Sequence, residues 1–289
     1  MAAPRPLAPV LLIENDAGAP AGRLADWLRD AGAELDVRCG PAGDEIPATL
    51  AGYSALVVMG GAASAAGTRS DGRFSWLPAV SVLLRTAVAE ESPCLALCLG
   101  AQLLAVACGG AVARAETPEY GAQLVAKRQV AATDPMFREL PITPDVIQWH
   151  AEEIVRLPAD AVLLASSPVC EVEAFRLGRL AWGLQFHIET TPDVVRAWAA
   201  ADAKRLADYD TATLVRRAID AHEDIEETWR PFAARFVDVA REPGRLAGPK
   251  TLPMAGGGNV RGGEPITDPA AIRAALAAQM QASREHPRG

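Results

Sequence analysis

An α/β fold built on a mostly parallel sheet is predicted by three observations. Up to Cys108, short apolar runs alternate with helix-length amphipathic segments, the order that βαβ units produce. Two of those runs, PVLLIE from Pro9 and PCLALC from Pro93, are apolar without alternation, as strands covered on both faces require. Half of the 289 residues are apolar, which is enough to bury a sizeable core and rules out wholesale disorder.

In order, Pro9 to Glu14 reads as the first strand, and Gly22 to Ala31 as an amphipathic helix with Leu24, Trp27 and Leu28 on one stripe. Glu34 to Arg38 and Ser54 to Met59 are the second and third strands, the latter running into Gly60-Gly61. A helix from Trp76 to about Glu90 follows, then the strand Pro93 to Cys98, which passes at once into a helix ending at Cys108. Beyond Gly109-Gly110 the texture changes. Gln123 to Val130, Ala161 to Ser166, Cys170 to Arg176 and Leu180 to Phe186 read as strands with short connections, an antiparallel edge region. Thr191-Pro192-Asp193 starts a helix, with Thr and Asp placed to cap it and Pro in its first turn. Two more helices are expected at Ala200 to Ala207 and Thr211 to Arg241, the second broken at Pro231. Glu242 to Pro265 reads as a Gly/Pro-rich linker and Pro269 to Arg284 as a terminal helix. The organisation expected is therefore a main domain over 1–200, a helical extension over 201–241, and a linker with a last helix over 242–289.

The balance of 28 Lys+Arg against 36 Asp+Glu, a net charge of −8, argues against non-specific contact with nucleic acid or anionic membrane. No run of about 18 apolar residues occurs, so no transmembrane helix is expected. Met1 to Pro9 lacks a signal-peptide pattern, which makes the cytoplasm the default location. The five cysteines form no CxxC pair, and Cys94 and Cys98 lack histidines at zinc-ligand spacing. Neither a disulfide framework nor a metal site is expected, and most of these thiols read as small buried hydrophobes. GGGNVRGG lacks the Lys-Ser/Thr of a phosphate-binding loop, so no nucleotide cofactor is expected. His222 and His286 read as solvated surface residues.

Cys98 differs from the other thiols because it stands where a buried strand turns directly into a helix. There a side chain is presented at the carboxyl edge of the sheet, where the helix N-terminus favours a thiolate. Gly60-Gly61 offers N–H groups after a neighbouring strand, and an acyl-transfer site needs such a donor besides the N–H of Leu99. His187, closing the strand LAWGLQF, could take the thiol proton, with Glu189 orienting its ring.

Cys-Leu-Gly-Ala-Gln (98–102) and Gln-Phe-His-Ile-Glu (185–189) resemble the two signature motifs of the class I, triad-type glutamine amidotransferases. Met59-Gly60-Gly61 resembles the family's oxyanion loop. Pro118-Glu119-Tyr120-Gly121 and Gln148-Trp149-His150 resemble blocks of the glutaminase domain of GMP synthetase and its stand-alone relatives. The blocks stand in family order over roughly Val10 to Trp198. The resemblance implies a flavodoxin-like three-layer sandwich with C-terminal helices and a cofactor-free Cys98–His187–Glu189 triad that hydrolyses the side-chain amide of glutamine through a γ-glutamyl thioester. It further implies an oxyanion hole from the N–H groups of Gly61 and Leu99, and substrate contacts by Gln102, Tyr120 and Gly121. The ammonia would pass to a separate synthase subunit. The alternatives are a γ-glutamyl peptidase with the same triad, and a binding or regulatory module whose activity has faded. Four departures from the family pattern stand out: Ala96 for a Gly two residues before the nucleophile, Ala62 for a Pro after Gly60-Gly61, Ile188 for the Pro of His-Pro-Glu, and His150-Ala151-Glu152 for His-Gly-Asp. The methyl of Ala96 is expected to raise strain at the turn. The apolar residues of Asp210 to Arg241 are expected to pack on the main domain, and the sharper alternative is that they dock a partner.

Overall fold

A computed structural model describes residues 7–65 and 72–246. Its elements are β1 (Val10–Glu14), α1 (Gly22–Asp30), β2 (Leu35–Cys39), β3 (Ala55–Val58), α2 (Leu77–Ala89), β4 (Cys94–Leu97), α3 (Leu99–Ala107), β5 (Ala111–Leu124), β6 (Ala126–Lys127) and β7 (Asp145–Arg156). After these come β8 (Ala161–Ser166), β9 (Ala174–Leu177), β10 (Ala181–Leu184), α4 (Pro192–Ala201), α5 (Thr211–Asp220) and α6 (His222–Arg241). The main sheet runs in the order β2-β1-β3-β4-β10-β9-β8-β6, parallel from β2 through β10 and antiparallel from there to β6.

The layers follow from the two-residue period of the strands. Val10, Leu12, Val57, Leu95 and Leu97 bury one face against Leu24 and Leu28 of α1 and Trp229, Phe232 and Phe236 of α6. Leu11, Ile13, Leu56, Val58 and Ala96 bury the other against Leu83 and Leu84 of α2 and Leu103 and Leu104 of α3. The central strands therefore read as unbroken apolar runs because each face has its own helical cover. Among the described residues no helix is long and apolar enough to cross a membrane.

Several expectations are corrected. The strand expected over Gln123–Val130 is the end of β5, the two-residue β6, and a short 3-10 turn from Gln129 to Thr133. β5 pairs instead with β7 as a separate antiparallel ribbon. Residues 170–173 belong to a loop, and β9 begins only at Ala174. No separate helix covers Ala200–Ala207; α4 ends at Ala201 and turns follow. Thr191 caps α4 as expected, accepting the Val194 N–H at 3.3 Å.

The last long helix breaks at Ala221 rather than at Pro231. Pro231 is exposed, so the carbonyl it leaves without a donor can meet water and the helix continues through it. At the actual break, the ring of His222 takes the carbonyl of Ala218, at 2.6 Å from Nδ1, which a continuous helix would reserve for the His222 N–H. His222 is thus buried rather than solvated. Its Nδ1–H donates to that carbonyl, and Nε2, 3.1 Å from Thr190 Oγ1, is left to accept. The linker expected from Glu242 opens instead with a one-turn helix over Pro243–Leu246; the rest of it, the terminal helix and His286 lie outside the described residues. The apolar face of α6 is already covered by the sheet, so a partner cannot use it without unfolding that core.

Truncating Trp229 to Ala should cost about 3–5 kcal/mol in urea unfolding, since the indole is fully buried and its N–H bonds the Asp145 carbonyl at 2.9 Å. The His222 pKa is lowered: burial pushes it down, the Ala218 carbonyl opposes, and the charge of Arg23 adds to the lowering. The unfolded ring titrates near ~6.5, so the unfolded chain takes up the proton first as pH falls. Wild-type stability should therefore drop as pH goes below about 6.5, and drop less in His222→Gln, when urea midpoints are compared at neutral and mildly acid pH.

Candidate active site

Three adjacent parallel strands finish at the same edge of the sheet, and each delivers one part of the site. β3 leads into Gly60-Gly61, β4 into Cys98 and β10 into Gln185-Phe186-His187. Crossover connections force parallel strands to end in register, and that register brings together residues distant in sequence.

Cys98 adopts φ 47° and ψ −109°, a backbone conformation that side chains disfavour at a cost of about 1–3 kcal/mol. It is held there from both sides. Its N–H donates to the Leu184 carbonyl of β10 at 2.7 Å, and its carbonyl accepts the Gln102 N–H at 3.0 Å in the first turn of α3. Gly100 permits that turn, because a Cβ there would stand 2.4 Å from the carbonyl oxygen of Val58. Ala96 carries no part of the strain. It is an ordinary β4 residue, paired with Val58 and with Gly183, and its methyl joins the cluster of Val58 and Phe175.

His187 is buried, and its Nδ1 lies 2.7 Å from Glu189 Oε1. A carboxylate oxygen can only accept, so Nδ1 carries the proton and the other ring nitrogen is left for Cys98, the ring's second hydrogen-bonding side chain. Burial pushes the His187 pKa down, but the carboxylate of Glu189 and the charge on Cys98 outweigh it and raise the value to about 10. The arrangement favours a protonated His187 within hydrogen-bonding reach of Cys98. Glu189 is fixed by its own bonds: its second oxygen accepts the Ile188 N–H at 2.9 Å, and its carbonyl accepts the Arg23 N–H at 3.0 Å, at the start of α1. Gly22 has φ 43°, and a Cβ there would come within 2.5 Å of that same carbonyl. Arg23 also donates to the His222 carbonyl at 3.0 Å, so α6 braces the segment that carries Glu189 and Thr190.

The glycine turn closes over the pair. A Cβ on Gly60 would stand 3.4 Å from the Cβ of Cys98 and 3.0 Å from Cε1 of His187, and one on Gly61 would stand 3.2 Å from a methyl of Leu99. The turn is held by the residues after β1: Asn15 donates to the Met59 carbonyl at 2.8 Å and Asp16 accepts the Ala62 N–H at 3.0 Å. That last bond gives the departure at Ala62 a physical sense, because a proline has no N–H to offer Asp16.

The expected substrate contacts are less concentrated. Gln102 is buried, donating to the Glu152 carbonyl at 3.0 Å and to Gln185 Oε1 at 3.2 Å, while the Gln185 amide nitrogen lies 3.9 Å from Cys98 Sγ. Tyr120 lies across the ribbon from Trp149, ring centroids 5.4 Å apart, and Gly121 with φ 86° leaves room for Leu214 of α5. Trp149 in turn lies 5.7 Å from Trp198, whose ring is 4.8 Å from that of His187 at an angle of 63°. The sequence reading missed Trp198; its position one turn from the buried Val195 in α4 was the available signal, and that signal says only that it faces inward. Burial pushes the thiols of Cys94 and Cys108 up, as inert core cysteines require.

Replacing Glu189 by Gln removes the charge that lifts His187. Its imidazole titration, followed by nitrogen-15 NMR, should fall from about 10 towards the ordinary value near ~6.5. An unchanged value would separate Glu189 from the ring.

Residues 21–197 match the family model described as glutamine amidotransferase class-I. The glutamine amidotransferase-like protein YfeJ of Salmonella typhimurium is 26% identical over 215 residues, 73% of this chain and 90% of that protein. A subunit of the glutamine-hydrolyzing GMP synthase of Methanothermobacter thermautotrophicus is 41% identical over 100 residues, but the match spans only 34% of this chain and 52% of that protein. Among solved structures, a glutamine amidotransferase from Thermotoga maritima superposes with TM-score 0.69 at 27% identity, covering 81% of this chain and 98% of its own. One from Methylobacillus flagellatus gives 0.70 at 28%, covering 80% and 95%. The α/β fold is thus shared across most of the chain with solved glutamine amidotransferases, and the chain belongs to the class I glutamine amidotransferase family.

Proposed function

We propose that the protein is a glutaminase, hydrolysing the side-chain amide of glutamine with Cys98 as nucleophile, His187 as acid and base, and Glu189 as the group that orients and charges the ring. The observation that carries this reading is the strained Cys98 paired with a buried His187 whose far nitrogen meets Glu189 at 2.7 Å. The Cys98 thiolate attacks the amide carbon, and the oxyanion that forms accepts bonds from the N–H groups of Leu99 and Gly61. The carbon–nitrogen bond breaks as His187 gives its proton to the departing nitrogen, releasing ammonia and leaving a γ-glutamyl thioester. Water then loses a proton to His187 and attacks the thioester carbon, releasing glutamate and restoring the thiolate–imidazolium pair.

Gln102, Tyr120 and Gly121 hold the α-amino and α-carboxylate groups of the substrate in this reading. The relatives named as single subunits of a glutamine-hydrolyzing GMP synthase support release of the ammonia to a separate synthase subunit. The synthase partner then binds through surface other than the apolar face of α6, which the core occupies.

The test is glutamate release from glutamine by the purified chain, with γ-glutamyl dipeptides and glutathione in parallel. Wild type should turn over glutamine. Cys98→Ala and His187→Asn should each lose at least ~10³-fold in kcat, and Glu189→Gln ~10²–10⁴-fold. Faster turnover of the γ-glutamyl peptides than of glutamine would overturn the substrate assignment. Activity surviving in Cys98→Ala would overturn the mechanism.

A further inference from the structure

Four potential metal ligands meet inside the protein, away from the catalytic pair: Glu119 on β5, His150 on β7, and Cys170 and Glu173 in the loop between β8 and β9. All four are buried, and one donor atom from each lies within 4.8 Å of the others. Glu119 and His150 face each other directly across the β5–β7 ribbon, so the ladder fixes their separation.

The hydrogen bonding is that of a ligand set with its outer partners already in place. His150 Nδ1 lies 3.0 Å from the Glu152 carbonyl, which can only accept, so Nδ1 bears a proton and Nε2 is the ring nitrogen turned to the cluster. Nε2 lies 3.4 Å from Glu119 Oε2, close enough for the two to share a proton or a cation. Glu119 Oε1 takes the Ser167 hydroxyl at 3.5 Å and Glu173 Oε1 takes the Gln148 amide at 2.8 Å, leaving one oxygen of each carboxylate free. Among the described residues, Glu119 Oε2, His150 Nε2 and Glu173 Oε2 are buried without a hydrogen-bond partner. Three buried polar atoms turned towards one another need either shared protons or a cation between them.

We propose that Glu119, His150, Cys170 and Glu173 bind a single Zn²⁺-type cation. The mixture of imidazole nitrogen, thiol sulfur and two carboxylate oxygens suits zinc and disfavours calcium or magnesium, which take oxygen alone. Tetrahedral zinc sets its ligand atoms about 3.3–3.8 Å apart, so the His150–Glu119 pair is already at that spacing and the others close in by up to about an ångström. The Cys170 thiol, which now faces the Val172 carbonyl at 3.6 Å, gives its proton to solvent as sulfur bonds to the metal. Zinc-ligand spacing could not announce the site, because the ligands come from three separate segments of chain.

The ion ties the β5–β7 ribbon to the loop before β9, and so to the main sheet. It also fixes the His150 ring, whose carbonyl partner on Glu152 is shared with Gln102, two hydrogen bonds from Gln185 and the edge of the catalytic thiol. The inference does not depend on the glutaminase reading.

The test uses the full chain carrying Cys98→Ala, so that the catalytic thiol cannot hold the ion. The protein is stripped with chelator, equilibrated with Zn²⁺ or Co²⁺ and desalted, and metal is counted by mass spectrometry. About one ion per chain is expected, and with Co²⁺ a near-ultraviolet thiolate-to-metal band beside tetrahedral visible bands. Cys170→Ser should abolish the thiolate band, and Glu173→Gln should cut retained metal at least ~10-fold. Should either variant fail to fold, X-ray absorption on the Co²⁺-loaded parent decides, by showing one sulfur among nitrogen and oxygen ligands. No retained ion in the folded parent, or an unchanged thiolate band in Cys170→Ser, would overturn the proposal and leave a hydrogen-bonded polar cluster that shares protons.

Discussion

The site depends on the parallel register of β3, β4 and β10. Because the three strands are hydrogen-bonded neighbours that end at one edge, a glycine turn, a thiol and an imidazole arrive together without any one segment spanning the gap. The bond from the Cys98 N–H to the Leu184 carbonyl continues that pairing one residue past the end of β4. It holds the cysteine in a conformation it would leave if free, and α3 starts from there with its first N–H groups directed at the edge. Backbone strain at Cys98 is balanced by the buried apolar layers on both faces of the sheet, which do not yield to a single unfavourable dihedral.

Most of the parallel half was legible in the sequence because its strands are covered on both sides and its helices carry one apolar stripe each. Such segments have little choice of structure. Cys98 and His187 stood out for a different reason: each stands at the end of a buried strand, and the segments around them resemble the family's signature motifs. The β5–β7 ribbon was not legible, since its residues mix exposure and burial along its length and its register shifts near Pro118. His222 was misread because a histidine at a helix start is usually solvated, and only the tertiary contact with Thr190 and Ala218 reveals otherwise. The inward-facing acceptors around Glu173 belong to the same class of feature, invisible until distant segments are brought together.

The C-terminal helices are part of this support. α6 fills one face of the sheet with Trp229, Phe232 and Phe236, and its first residue contacts the segment that carries Glu189. α5 closes on Gly121 through Leu214. Residues far beyond Glu189 in sequence therefore help to hold the segment that carries it.

The carbonyl of Glu189 lies against the N-terminus of α1, where Gly22 leaves it room and Arg23 donates to it. That contact joins α1 to the carboxylate beside His187, with nearly the whole parallel sheet between them in sequence. It makes the site indivisible. A segment running from Cys98 to Glu189, transplanted to another sheet, would carry all three residues of the proposed triad and leave Glu189 without this anchor. Under the proposed function, carrying the activity to another protein requires Gly22 and Arg23 to travel with the motif-bearing segment.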